Sequence, residues 1–169
     1  MGMNIHRFVL GALLLLAAVP ARAADLDQGD VSRITAITDA IRSLEDDVSR
    51  TLHDLPPDDA EQIEAFSYVE QNLESAQERL NSVFLLAAVS MYMEDSSDTA
   101  QIQNLMSRQI LPPSMTFLRQ KSDAIASMAV SHPGNQEIAA YSMRASAILR
   151  DRAIPMLDAL SRKIAGAPL

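Results

Sequence analysis

Apolar residues recur every three or four positions through this chain, a spacing that suits helices and not strands. Ile34, Ile37, Ile41, Leu44, Val48, Leu52 and Leu55 advance by 3, 4, 3, 4, 4 and 3. Because an α-helix turns once in about 3.6 residues, such steps collect on one face. Phe66, Val69, Leu73, Ala76, Leu80, Val83 and Ala87 advance by 3, 4, 3, 4, 3 and 4, the seam of a heptad repeat. Further faces run through Ile102, Leu105, Met106 and Ile110, then Leu118, Ile125 and Met128. The last runs through Ile138, Tyr141, Ala145, Ile148 and Leu149, with Leu157, Leu160 and Ile164 after a proline. Beyond residue 23 only Gly29, Gly134 and Gly166 are glycines, and no Asn-Gly or Asp-Gly pair offers a hairpin turn.

Breakers divide these faces into four. Asp30 is placed to cap a first helix, and Pro56-Pro57 close the loop after it. Asp58 with Glu61, and Asp98 with Gln101, have the spacing in which a side-chain oxygen meets a free amide of the first turn. Pro133-Gly134-Asn135 makes the last turn. The expected helices span residues 30–54, 58–94, 98–131 and 135–165. Links this short set neighbours antiparallel, so the predicted fold is all-α, an elongated antiparallel four-helix bundle running up-down-up-down.

Two proline sites modify the last hairpin. Pro112-Pro113 and Pro155 fall at matching heights in an antiparallel pair, and each proline removes an amide and crowds the carbonyl four residues back. Kinks are expected in helices three and four. A cavity at that level would be lined by Met106, Leu111, Met115 and Met156.

The first 23 residues read as an export signal: a basic head at Arg7, a twelve-residue apolar run from Phe8 to Val19, then Ala21-Arg22-Ala23 before the cut. A spanning helix needs about 20 apolar residues, so stable membrane insertion after cleavage is not expected. No cysteine follows to carry a lipid. The expected organisation is a cleaved signal peptide at 1–23 and one helical domain at 24–169, in the periplasm or secreted.

What the chain lacks excludes much chemistry. There is no cysteine, hence no thiol nucleophile, disulfide or Cys-ligated zinc. Glu-x-x-His pairs, His-Glu-x-x-His, Gly-x-Ser-x-Gly and phosphate-cradling glycine loops are missing as well. After residue 23 the histidines are His53 and His132, both at C-terminal helix ends, where the dipole already favours them. Methionines are spread over the second, third and fourth helices, which suits gap-filling more than Cu(I) binding. The expectation is a non-catalytic protein with no metal and no cofactor.

Charge is uneven. Residues 24–98 hold 18 acids and 4 bases, a net of −14, and residues 99–169 hold 4 acids and 8 bases, a net of +4. An acidic chain does not suit nucleic acid, whose affinity for proteins comes largely from Lys and Arg against phosphate. The acids crowd the first turn of the bundle, where Asp54, Asp58, Asp59, Glu61 and Glu64 form a candidate surface for a basic protein partner. The function expected is protein–protein contact, in its specific form that of an inhibitor or immunity-type binder. The alternative is a small-ligand or metal carrier using the proline-level cavity.

Overall fold

The computed structural model describes residues 26–93 and 96–166, with only the backbone of Ser96; the export segment and its cleavage site lie outside the described residues. The chain forms α1 (Gln28–Asp54), α2 (Ala60–Tyr92), α3 (Ser96–Leu105), α4 (Leu111–Ser131), α5 (Gln136–Ile148) and α6 (Ile154–Ala165). A π-helical segment, Met106–Ile110, joins α3 to α4 without a break, and a second, Leu149–Ala153, joins α5 to α6. Four helices result, with no strand among the described residues. The fold is an all-α four-helix bundle.

The caps of the first two helices differ from expectation. Asp27, not Asp30, caps α1: its Oδ1 accepts from the Asp30 amide at 3.0 Å, and Asp30 Oδ2 accepts from the Asp27 amide at 2.9 Å. This reciprocal box occupies two amides that the helix leaves free. Asp59, not Asp58, caps α2, accepting from the Gln62 amide at 3.3 Å. The third helix begins at Ser96, so Asp98 lies inside its first turn. α6 stops where Gly166 adopts φ 71°, a left-handed conformation that costs glycine nothing.

Both proline sites carry a π turn. The Leu111 amide reaches the Met106 carbonyl and the Ile154 amide reaches the Leu149 carbonyl, each spanning five residues instead of four. The wider turn places Pro112 and Pro155 in the first turn of the helix that follows, where an amide is not required. The first π segment contacts α6 and the second contacts α4.

α1 packs on α2 and α4 on α5; α2 also packs on α4, and α1 on α5. The seam of α2, from Phe66 to Ala87, is completely buried at all seven positions. Each buried Leu or Val there contributes on the order of 1.5–3 kcal/mol of transfer free energy, so α2 anchors the core. Leu105, expected on an inward face, is instead 39% exposed, because the inward face of α3 runs through Gln103 and Met106, which are 6% and 0% exposed. Between α4 and α5 the layer is small and polar: the Ser122 and Ser146 hydroxyls lie 2.9 Å apart, and Ser114 and Ser142 are buried nearby in the same helices.

Candidate interaction surface

The predicted acidic residues sit where α1 ends and α2 begins. Leu55 is extended, at φ −71° and ψ 143°, as a residue before proline is steered to be. Pro56 then directs the chain into Asp59, whose amide bonds the Pro56 carbonyl at 3.0 Å. Asp59 is half-buried and committed to structure. Besides the Gln62 amide, its carboxylate accepts from the Gln62 side chain, and Gln62 Oε1 in turn accepts from Asn135 Nδ2 at 2.8 Å. Asn135 caps α5 by accepting from the Glu137 and Ile138 amides at 3.1 and 3.0 Å. One hydrogen-bonded chain therefore fixes the starts of α2 and α5 side by side.

Around that chain the other carboxylates stand free. Asp54, Asp58, Glu61 and Glu64 are exposed, and among the described residues none has a Lys or Arg within ion-pair distance. Glu61 is 81% exposed and lies 3.8 Å from His132 Nε2; it takes no part in capping. The expected Asp58–Glu61 capping pair is thus replaced by Asp59 with Gln62. Sequence reasoning missed Glu137, which is exposed in the first turn of α5 and is brought to this end by the Asn135–Gln62 bond. A pairing of amides 73 residues apart leaves no local signal.

The two histidines do not form a site. His132 donates from Nδ1 to the Met128 carbonyl at 3.1 Å, whereas His53 is exposed in the last turn of α1. α1 and α4 both pack against α2 and α5, so they stand diagonally. No group of three His, Asp or Glu among the described residues could hold a metal ion.

Halfway along the first hairpin a carboxyl is perturbed. Burial pushes Glu45 above the usual carboxylate range, and the charges of Glu74, Glu70 and Asp46 push it further, against the opposing pull of Arg42. Gln77, with its amide oriented to satisfy both neighbours, donates to Glu45 at 3.0 Å and accepts from Arg42 at 3.1 Å. Repulsion between α1 and α2 is thereby moderated but not removed.

At the start of α1 the charges are paired. Lys163 Nζ donates to Asp27 Oδ2 at 2.7 Å and to Asp30 Oδ2 at 2.6 Å, and Arg33 Nη2 donates to Asp30 Oδ1 at 2.6 Å. Asp30 is 2% exposed, and this pairing lets it be so. The hydrogen bond from Lys163 holds Asp27 below the usual carboxylate range. Burial pulls Lys163 down, but its bonds to Asp27 and Asp30 and their charges outweigh it and hold the ammonium above its ordinary value.

Of the four residues assigned to a proline-level cavity, Met106 and Leu111 are fully buried in the core and Met115 is half-buried against it. Met156 lines a crevice of about 30 Å³ with Asp30, Arg33, Ala159, Leu160 and Lys163, at the paired end of α1. That is room for one or two waters. No helix among the described residues is long and apolar enough to cross a membrane. Comparison with protein-family models, with characterised proteins and with solved structures finds no match to this chain.

Proposed function

We propose that this is a non-catalytic exported helical bundle that acts by protein–protein contact, its acidic end receiving a basic partner in the manner of an inhibitor or immunity-type binder. One observation carries the reading: among the described residues Asp54, Asp58, Glu61 and Glu64 are exposed without Lys or Arg partners, whereas the carboxylates at the start of α1 are neutralised within the fold. Charge that the fold does not use is free to steer a partner, and steering acts mainly on the rate of encounter. Export rests on the order of basic head, apolar run and small-residue cut in residues 1–23.

Capture from the exported fraction of the producing cell, followed by association kinetics with the captured protein, tests this. Changing Asp54, Asp58, Glu61 and Glu64 together to their amides is expected to slow association about tenfold or more at low salt, and to change it little at high salt. Asp59 is left alone because it caps α2. Association that proceeds at the same rate after the change, at low ionic strength, refutes the acidic end as a binding surface.

A further inference from the structure

The inward face of α3 carries a polar residue that the fold does not use. Gln103 is 6% exposed, yet its side-chain amide has no hydrogen-bond partner among the described residues. A buried amide that pairs with nothing has lost its water without replacement, so it is kept at a cost in stability. Gln103 lines a groove of about 330 Å³ where α3 and the first π segment meet the end of α6. Asn104 and Arg108 stand on the same wall, and Ile164 and Ala165 form the other. Ser107 borders the groove as well, but its hydroxyl is committed to the Asn104 carbonyl at 3.1 Å. Arg108 is exposed, and among the described residues no carboxylate lies within ion-pair distance of it. Residues five apart in a regular helix stand about 140° apart around the axis. The π turn from Met106 winds more slowly and brings Arg108 round to the groove that Gln103 lines.

We propose that this groove binds a small molecule with a carboxylate next to an amide, of the class of N-acylated amino acids. The carboxylate suits Arg108, whose planar guanidinium can donate two parallel hydrogen bonds to such a group. The adjoining amide suits Gln103, whose side chain offers both an acceptor and donors, as does that of Asn104 beside it. An apolar side chain on the ligand rests on Ile164 and Ala165. The volume falls at the lower end of the range for small-molecule sites, about 300–1,000 Å³, which suits a ligand of one residue. Phosphates and nucleotides are poorer occupants, since they call for more positive charge than one arginine and the chain carries a formal net charge of −8. Selectivity comes from the unpartnered amide, because a ligand without hydrogen-bonding groups would leave Gln103 unpaired. This site is separate from the acidic end, and neither reading rests on the other.

Titration of the protein, as its host produces it, with N-acetyl-leucine followed by nuclear magnetic resonance tests this. Saturable shifts at the Gln103 and Asn104 side-chain amides are expected, with a dissociation constant on the order of 1 mM for a ligand of that size. N-acetyl-leucinamide, the same molecule without the charge, is expected to bind at least about tenfold more weakly. Arg108→Gln should weaken N-acetyl-leucine by a similar factor of about ten and leave the fold unchanged, since residue 108 is exposed and unpaired. Gln103→Leu should weaken binding as well, and a second readout separates a ligand site from a structural residue. Without ligand this variant should melt at a higher temperature than the wild type, because it removes an amide that the fold leaves unpaired. Shifts that do not saturate by about 50 mM, equal binding of the acid and its amide, or binding indifferent to Arg108→Gln each overturns the proposal, as the groove then holds water only. A lower melting temperature for Gln103→Leu overturns it too, since the amide would then be serving the fold.

Discussion

The two ends of α1 treat the same chemical group in opposite ways. At its start, Asp27 and Asp30 are held by Lys163 and Arg33, and Asp30 is buried at 2% exposure. At its finish, Asp54 and Asp58 are exposed, and among the described residues no Lys or Arg lies within ion-pair distance of them. Acidic composition therefore has two meanings within one bundle. Where a cation arrives from a distant helix, carboxylates fasten the fold; where none arrives, they are surface.

The sharpest way to break this contrast is to remove the cation. Lys163→Met keeps the apolar stem but leaves Asp30 buried with Arg33 alone, itself 63% exposed. A loss of about 2–4 kcal/mol in urea unfolding at pH 7 is expected, because an unpaired buried charge keeps its desolvation cost. Asp27 is lowered from 3.8, so its share is complete at neutral pH and disappears as pH falls below about 4. Lys163 is raised from 10.5, so its share is present below that value and is lost as pH rises past about 10.5. The variant's stability curve should lack both shoulders. A loss under about 0.5 kcal/mol at pH 7 would make the two ends equivalent.

The next effect belongs to the other end and concerns caps instead of charges. Asn135→Ala removes two hydrogen bonds to α5 amides and the partner of Gln62. A loss of about 1–2 kcal/mol in chemical unfolding is expected, the upper part of the usual range for a cap. Glu61→Ala should cost much less, since Glu61 caps nothing. Equal losses would return the capping role to Glu61.

Period and seam were legible because burial follows helical spacing. Ile34, Ile41, Leu44 and Val48 of α1, and all seven seam positions of α2, lie where their steps of three and four place them. Caps were half legible. Aspartates adjacent to one another or three apart, such as Asp58 and Asp59 or Asp27 and Asp30, satisfy the same local rule, and the backbone angles of the preceding loop decide between them. The π turns were not legible, since a proline inside a helical pattern says that an amide is missing and leaves open how the turn adjusts. Lys163 against Asp27 and Asp30 was beyond local reading as well: 136 and 133 residues separate the partners. Of the acidic surface, four of five predicted members are exposed, and Asp59 is the one withdrawn into a cap.

Glu45 lies between the extremes, half-buried beside other carboxylates but also near Arg42. Its raised value means the folded state holds the proton more tightly than the unfolded chain, so stability falls as pH rises from 4.5 through that value. Glu45→Gln should therefore gain less than about 1 kcal/mol at pH 7, and less still toward pH 4, where the raised carboxyl holds its proton more fully. Thermal melts at both pH values check the difference. A gain that persists undiminished at pH 4 would mean that packing, not charge, sets it.

The smallest effect on stability is expected from the joint amide substitution of Asp54, Asp58, Glu61 and Glu64, and its smallness is the point. Asp54 closes α1, where the negative end of the helix dipole disfavours a carboxylate, so its amide is slightly favourable. Glu61 stands in the first turn of α2 with Glu64 just beyond it, where the positive end favours carboxylates, so these amides are slightly unfavourable. Asp58 faces solvent and has no role in the cap. The opposing contributions leave a net change within about 0.5 kcal/mol in urea unfolding, against several for Lys163→Met. A loss near 2 kcal/mol would show that these carboxylates hold the bundle together after all, and would remove the reason for assigning them to a partner.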